Sequence, residues 1–361
     1  MTYTPRHKSL KFTAVSFAIA ALLSITPLLG QTSTFLSFDA PGAGTGIVQG
    51  TFPVAINAGG VIAGWYFDSS FVSHGFVRHA NGGFTEFSPP NLSQVFVYGI
   101  NNKGQILGNG NLTVSPFSRV AFIRDPNGTY TIISVAGATN FVATAINSTG
   151  EVTGYYFDAN NRWNGFLRDA TGNLTVFQDP NATTASGNGT YAWIINDKGM
   201  TGGFYNYNNL TGINRAFVRD RLGNFRNFDA VPGGSTLVQP MGMNLNGEIA
   251  GYYGDAETLI THCFLRDASG TVTDFDIPGA FTSLATGINN DGVIVGYWME
   301  GNQITVDSFV RDTSGNITTF AAPDNNLGTF AVGINRTGQI VGNWQDSVSL
   351  VNHGFIETNE Q

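Results

Sequence analysis

Ile56-Asn57-Ala58-Gly59-Gly60-Val61-Ile62-Ala63-Gly64 reads as a tight turn followed by a short apolar run, and its pattern occurs seven times in the chain. The Asn of Asn-x-x-Gly falls at 57, 101, 147, 196, 244, 289 and 335, in steps of 44, 46, 49, 48, 45 and 46 residues. Ile precedes it in every copy except the fifth, which has Met243. Seven residues after each Asn stands a further glycine, from Gly64 to Gly342. Asn and Gly accept positive φ at little cost, so the motif predicts a hairpin turn between two strands.

Working outward, each copy carries a second set of landmarks. A small residue precedes Phe76, Phe122, Phe166, Phe217, Phe264, Phe309 and Phe355. Arg stands two positions later in six copies, and an Asp follows that Arg in five. Asp-x-x-Gly suits a second tight turn, with Asp at its first position and Gly at its last. Two apolar residues three apart then close the unit, such as Phe84 and Phe87. Each copy therefore predicts four short strands. Arg78 shares strand parity with Phe76, so the repeated arginines read as bridges between neighbouring units.

The ends of the chain decide the topology. The seventh copy stops after its third strand, at His353-Gly354-Phe355. The missing fourth strand is present near the start, as Phe35-Leu36-Ser37-Phe38-Asp39-Ala40-Pro41-Gly42-Ala43. A ring whose last member is completed by the N-terminal strand explains that offset, and closure removes exposed sheet edges. The expected fold is all-β: a seven-bladed β-propeller of four-stranded blades. A period of about 46 residues matches known blade sizes. Residues 31–361 are expected to form this single domain, with no room for a second one.

The recurring Asn-x-x-Gly, His/x-Gly-Phe and Asp-x-Pro-Gly-Ala elements resemble the bacterial extracellular HAF-type repeat family. His74-Gly75-Phe76, His262-Cys263-Phe264 and His353-Gly354-Phe355 come nearest its signature, with Gly or Cys where the family name has Ala. The resemblance covers the whole chain after residue 30. It implies export from a bacterium and no particular activity.

Composition agrees with these readings. With 12% charged residues, 46 Gly and 28 Phe, the chain is neither a disordered segment nor a helix bundle. A net charge of −8 argues against nucleic acid as a partner. Arg6, His7, Lys8 and Lys11 precede an apolar run, Phe12 to Ile25, so residues 1–30 read as a signal peptide. Secretion or periplasmic or cell-surface residence is expected, as a monomer with no membrane span after cleavage. Cys263 is the sole cysteine, which excludes an internal disulfide, and it fills a small slot before Phe264.

No nucleophile elbow, zinc-protease helix or phosphate loop is present, and no cofactor or metal is expected. His74, His262 and His353 occupy one repeat position in blades one, five and seven, too far apart to share a metal. The candidate ligand-binding residues lie where the second strand ends in aromatics, shortly followed by an acid. They are Tyr66 and Asp68, Tyr156 and Asp158, Tyr253 and Asp255, Trp298 and Glu300, and Trp344 and Asp346. Aromatic platforms beside orienting polar groups suit a saccharide, and the same loop face suits a protein ligand. The competing reading assigns the aromatics to packing and the acids to loop caps. A non-catalytic exported binding protein is the leading expectation. A polysaccharide lyase or glycosidase using two of these acids, and a purely structural surface protein, are the alternatives.

Overall fold

A computed structural model describes residues 33–114, 118–138, 140–207, 213–231, 235, 237–255, 258, 260–301, 305–323 and 326–359. The expected signal peptide (1–30) and the expected start of the mature chain at 31 lie outside these residues. The described residues form 28 β-strands and no helix. Among the described residues no helix is long and apolar enough to cross a membrane.

The strands repeat as antiparallel groups, named here as units one to seven after their Asn-x-x-Gly motifs. In unit one the inner strand Gly50–Ile56 pairs with Ile62–Phe67, which pairs with Ser73–Arg78, which pairs with Phe84–Phe87. Unit seven holds only Asn326–Ile334, Ile340–Asp346 and Asn352–Asn359 of its own. Its outer strand is Ser33–Phe38, in register from Ser33 opposite Asn359 to Phe38 opposite Gly354. Phe35 stacks on Phe355 at 4.9 Å across this pairing.

Both predicted turns are present, and the side chains explain them. In Asn-x-x-Gly the Asn57 Oδ1 accepts the amides of Gly59 and Val61 at 2.9 and 3.0 Å. The Asn caps its own turn, while the closing glycine takes a φ between 72° and 94° in all seven copies. Its Nδ2 reaches out of the unit. Asn57 donates to the carbonyl of Asn101 at 3.3 Å, Asn101 to Asn147 at 3.0 Å, and Asn147 to Asn196 at 3.1 Å. Asn196 donates to Asn244 at 3.0 Å, Asn244 to Asn289 at 3.3 Å, and Asn289 to Asn335 at 3.3 Å. The seventh bond returns from Asn335 to Asn57 at 3.1 Å.

The glycine seven residues after each Asn has a steric cause. A Cβ at Gly203 would strike the Tyr191 carbonyl, and one at Gly64 would strike the Phe52 carbonyl and the Phe76 ring. Each inner strand also carries a bulge four residues before its Ile-Asn step closes, as between Ala143 and Ala145 or between Ala192 and Ile194. The sequence reading had not anticipated these bulges, because register irregularity leaves no compositional mark.

The core lies between units. All seven repeat phenylalanines, Phe76 to Phe355, are fully buried. Five of the six repeated arginines lie over the outer-strand aromatic of the preceding unit, as the parity argument expects, while for Arg168 that position of the sequence is Ile133. Arg78 covers Phe38 at 4.8 Å, Arg124 covers Phe87 at 5.0 Å, and Arg311 covers Phe275 at 4.8 Å. These contacts bury the guanidinium stems against apolar surface while adding a cation–π attraction.

Candidate functional site

Antiparallel alternation puts both tight turns of every unit at one end of the strands. The loops between second and third strands gather at the other end, with the connections between units. The candidate aromatics and acids belong to this loop end.

Their environments differ from unit to unit. Tyr66, Tyr156 and Tyr253 are buried. Burial raises the Tyr66 and Tyr156 hydroxyl pKa values and pushes Tyr253 up to about 12, so all three stay protonated. Trp298 and Trp344 are half-buried. Four of the acids are committed to their own loops. Asp68 Oδ1 accepts the amides of Ser70 and Val72 at 2.8 and 2.9 Å. Asp158 Oδ1 accepts those of Asn160 and Arg162 at 2.8 and 2.9 Å. Asp255 accepts the Thr258 amide at 2.8 Å, and Asp346 those of Val348 and Ser349 at 2.9 and 2.6 Å. Loop amides hold Asp68 and Asp346 below the usual carboxylate range, the Val72 amide leading at Asp68 and that of Ser349 at Asp346. At Asp158 burial pushes upward, but the Arg162 amide, Asn164 and the Asn160 amide together outweigh it.

Cross-strand pairing organises this end further. Each candidate aromatic faces the slot two residues before the repeat Phe: Tyr66 faces His74, Tyr156 Asn164, Tyr253 His262, Trp298 Asp307, and Trp344 His353. The histidines stack on these rings, at 5.1 Å for Tyr66, 5.2 Å for Tyr253 and 4.6 Å for Trp344. The slot residue then bonds to the residue after the outer strand. His74 meets Ser88 at 2.8 Å, Asn164 meets Gln178 at 2.8 Å, and His262 meets Asp276 at 2.6 Å. Arg215 pairs with Asp229 at 3.1 Å in unit four. In unit seven the partner comes from the N-terminal segment, Asp39 to His353 at 3.0 Å. The three histidines are thus spent within separate units. Among the described residues no group of three or more His, Cys, Asp or Glu is placed to hold a metal ion.

Unit six is the exception. The position that should answer Asp307 is Ala321, which offers no donor. Burial raises the Asp307 carboxyl pKa, with no hydrogen bond to offset it. Beside it the Trp298 Nε1 is buried without a hydrogen-bond partner, whereas Trp344 Nε1 donates to Ser37 at 2.9 Å. The Trp298 donor is therefore unfilled, and the half-buried Asp307 carboxylate on the adjacent strand has no hydrogen bond among the described residues. Glu300 is half-buried on the same strand as Trp298, and Phe281, opposite that strand, is an exposed large apolar residue. Trp298 was legible in the sequence, but Asp307 was missed. Comparing the slot column with the outer-strand column would have exposed the pairing of Asp307 with Ala321.

A row of aromatics one position earlier in the second strand was also passed over in choosing the site. Trp65 stacks on Phe52 at 4.2 Å and meets Phe96 of the next unit at 5.0 Å. Tyr155 and Tyr191 repeat the contact between units three and four at 5.2 Å. These half-buried rings tie neighbouring inner strands together. Cys263 is fully buried and burial pushes its thiol pKa well up, which makes it a packed residue rather than a nucleophile.

On the turn side, a cavity of about 390 Å³ is lined by residues of all seven units, namely six Asn of the bonded series with their flanking neighbours, and Met243 and Leu245 in unit five. A second of about 250 Å³ shares Ile56, Ile195, Met243, Ile288 and Ile334 with it and continues past Val54, Met241 and Val332.

No protein-family model and no curated protein matches the chain. Solved structures do. Virginiamycin B lyase from Staphylococcus aureus is 11% identical and matches over 91% of this chain and 100% of its own, with a TM-score of 0.57. A catalytically inactive variant of that lyase with quinupristin is 12% identical over the same shares, with a TM-score of 0.59. Puromycin hydrolase is 14% identical over 82% of this chain and 50% of its own, with a TM-score of 0.51. At such identities the likeness concerns the fold alone, and the chain has an all-β, propeller-like fold.

Proposed function

We propose that the chain is a seven-bladed β-propeller closed by its N-terminal strand, and that it binds a saccharide on its loop end at unit six. The pairing of Ser33–Phe38 with Asn352–Asn359 and the returning Asn335–Asn57 bond support the closure. The binding reading rests on Trp298 and Asp307. Leaving a buried donor such as Trp298 Nε1 unmatched costs about 1–3 kcal/mol, and the half-buried Asp307 across from it has no hydrogen bond, so the two together suit a ligand. A sugar hydroxyl answers both needs, donating to Asp307 and accepting from Trp298 Nε1, while the indole offers an apolar face. The leader of residues 1–30 and the resemblance to HAF-type repeats support export, with binding outside the cytoplasm.

The test is a glycan-array screen of residues 31–361, repeated with Trp298→Ala and Asp307→Ala. A saccharide bound by the wild type and weakened about tenfold in each variant, worth about 1.4 kcal/mol, is expected. Binding that survives both substitutions would remove unit six from the site. No binding across the array would redirect the reading to a protein ligand.

A further inference from the structure

A separate cavity lies at the turn end, between units one and two, and its existence follows from one side chain. The fourth residue after each Asn points across the unit boundary toward the closing glycine of the next turn. Gln105 does so toward Gly150, Glu151 toward Gly199, Met200 toward Gly247, Glu248 toward Gly292, and Gln339 toward Gly60. Unit one has Val61 there, two heavy atoms shorter than Gln. Of the residues around it, Gly104 of unit two would meet only Pro126. The space left is about 400 Å³. The corresponding groove between units four and five, where Met200 fills the position, holds about 160 Å³.

The chemistry of this cavity is one-signed. Its floor is apolar, from Val61, Val77, Ile100 and Pro126. Arg124, His79 and Lys103 line it and no Asp or Glu does, although Lys103 Nζ donates away to the Thr149 carbonyl of unit three at 3.1 Å. The Asp125 carboxylate, next to Arg124 in sequence, bonds instead to Gln105 Nε2 at 2.8 Å and Thr129 Oγ1 at 3.3 Å. Arg124 Nε is buried with no hydrogen-bond partner, as in Arg78, Arg219, Arg266 and Arg311, and its Nη1 donates to the Asp125 carbonyl at 3.4 Å. Unit six also has a short residue, Val293, and Gly338 opposite it would meet nothing within 4 Å. There the residue in the Arg124 position is Glu357, and Asp312 stands where unit one has His79. Only the first of the two open grooves joins an apolar floor to cationic groups.

We propose that the cavity between units one and two binds a small organic anion with a flat apolar body, an aromatic carboxylate being the type. The ring lies on Val61, Val77, Ile100 and Pro126, and the carboxylate faces Arg124. This site is independent of the saccharide reading at unit six, which lies at the opposite end of the strands.

The test uses naphthalene-2-carboxylate, with binding measured by titration calorimetry on residues 31–361. Val61→Gln installs the side chain that units two and seven already carry, where it accepts from the Asn Nδ2 at 2.9 Å. It should keep the wild-type melting temperature and weaken binding at least tenfold. Arg124→Gln should weaken it severalfold, and Val293→Gln should leave it unchanged. The methyl ester should bind at least tenfold more weakly than the acid. No binding of the acid by the wild type, equal binding by Val61→Gln, or equal binding of acid and ester would each overturn the assignment.

Discussion

Asn335 donates its Nδ2 to the carbonyl oxygen of Asn57 at 3.1 Å, joining residues 278 positions apart with the same bond that links every successive pair of units. The same Asn335 Oδ1 caps its own turn through the amides of Thr337 and Gln339, both at 3.0 Å. One side chain thus holds a turn and a unit boundary together. The last boundary is built no differently from the others.

That equivalence predicts equal costs. Asn335→Ala and Asn196→Ala should each destabilise by about 2–3 kcal/mol, since each removes a cap and strands buried amides and a carbonyl. Urea unfolding of the two variants measures this. A much smaller loss at Asn335 would mean that the last boundary contributes little, as in an open array.

Removing residues 33–43 should lower stability by at least about 3 kcal/mol. The deletion takes away the edge strand of unit seven, the Phe35–Phe355 stack and the Phe38 ring beneath Arg78. Differential scanning calorimetry would show a lowered transition. An unchanged transition would contradict the closure.

His353 supplies a pH signature at the same seam. Its hydrogen bond with Asp39 raises its pKa above the usual 6.5, more than burial lowers it. Stability from this pair is fully present below pH 6.5 and is lost as pH rises through the folded-state pKa. His353→Gln should therefore cost more at pH 5.5 than at pH 8.5, by under about 1 kcal/mol for a rim pair. The imidazole titration followed by NMR should have its midpoint above 6.5.

Asp307 should behave in the opposite sense to a stabilising carboxylate. Burial raises its pKa, so ionisation is penalised in the folded state, and the penalty grows as pH rises above the unfolded value near 3.8. Asp307→Asn is expected to raise the melting temperature at pH 7 and to change it little at pH 3, while weakening the proposed ligand. A lower melting temperature at pH 7 would mean that the carboxylate already has a partner.

Local chemistry made much of the architecture legible. Asn-x-x-Gly and Asp-x-x-Gly turns need no distant partner, so the units, their strand count and the outward-reaching arginines could be read from residues a few positions apart. The pairing of the N-terminal strand with unit seven was legible for a related reason, since a missing fourth strand at one end matched a surplus one at the other. The candidate site was legible only in part. Trp298 was named, but Asp307 was not, and no local pattern separated a loop-capping role of Asp68, Asp158 and Asp346 from a binding role.

What only the tertiary structure decided turns on side chains whose partners lie in another strand or unit. Tyr66 and Trp65 are neighbours in sequence, yet alternation sends one onto His74 and the other onto Phe52. Asp307 differs from His353 because Ala321 and Asp39 answer them from distant strands, and Val61 opens a cavity because Gly104 lies across a unit boundary. The sequence by itself determined the repeat, its turns and its period, since these arise from backbone conformations that each residue carries with it. Which polar groups are satisfied and which spaces stay empty depends on the packing of one unit against the next.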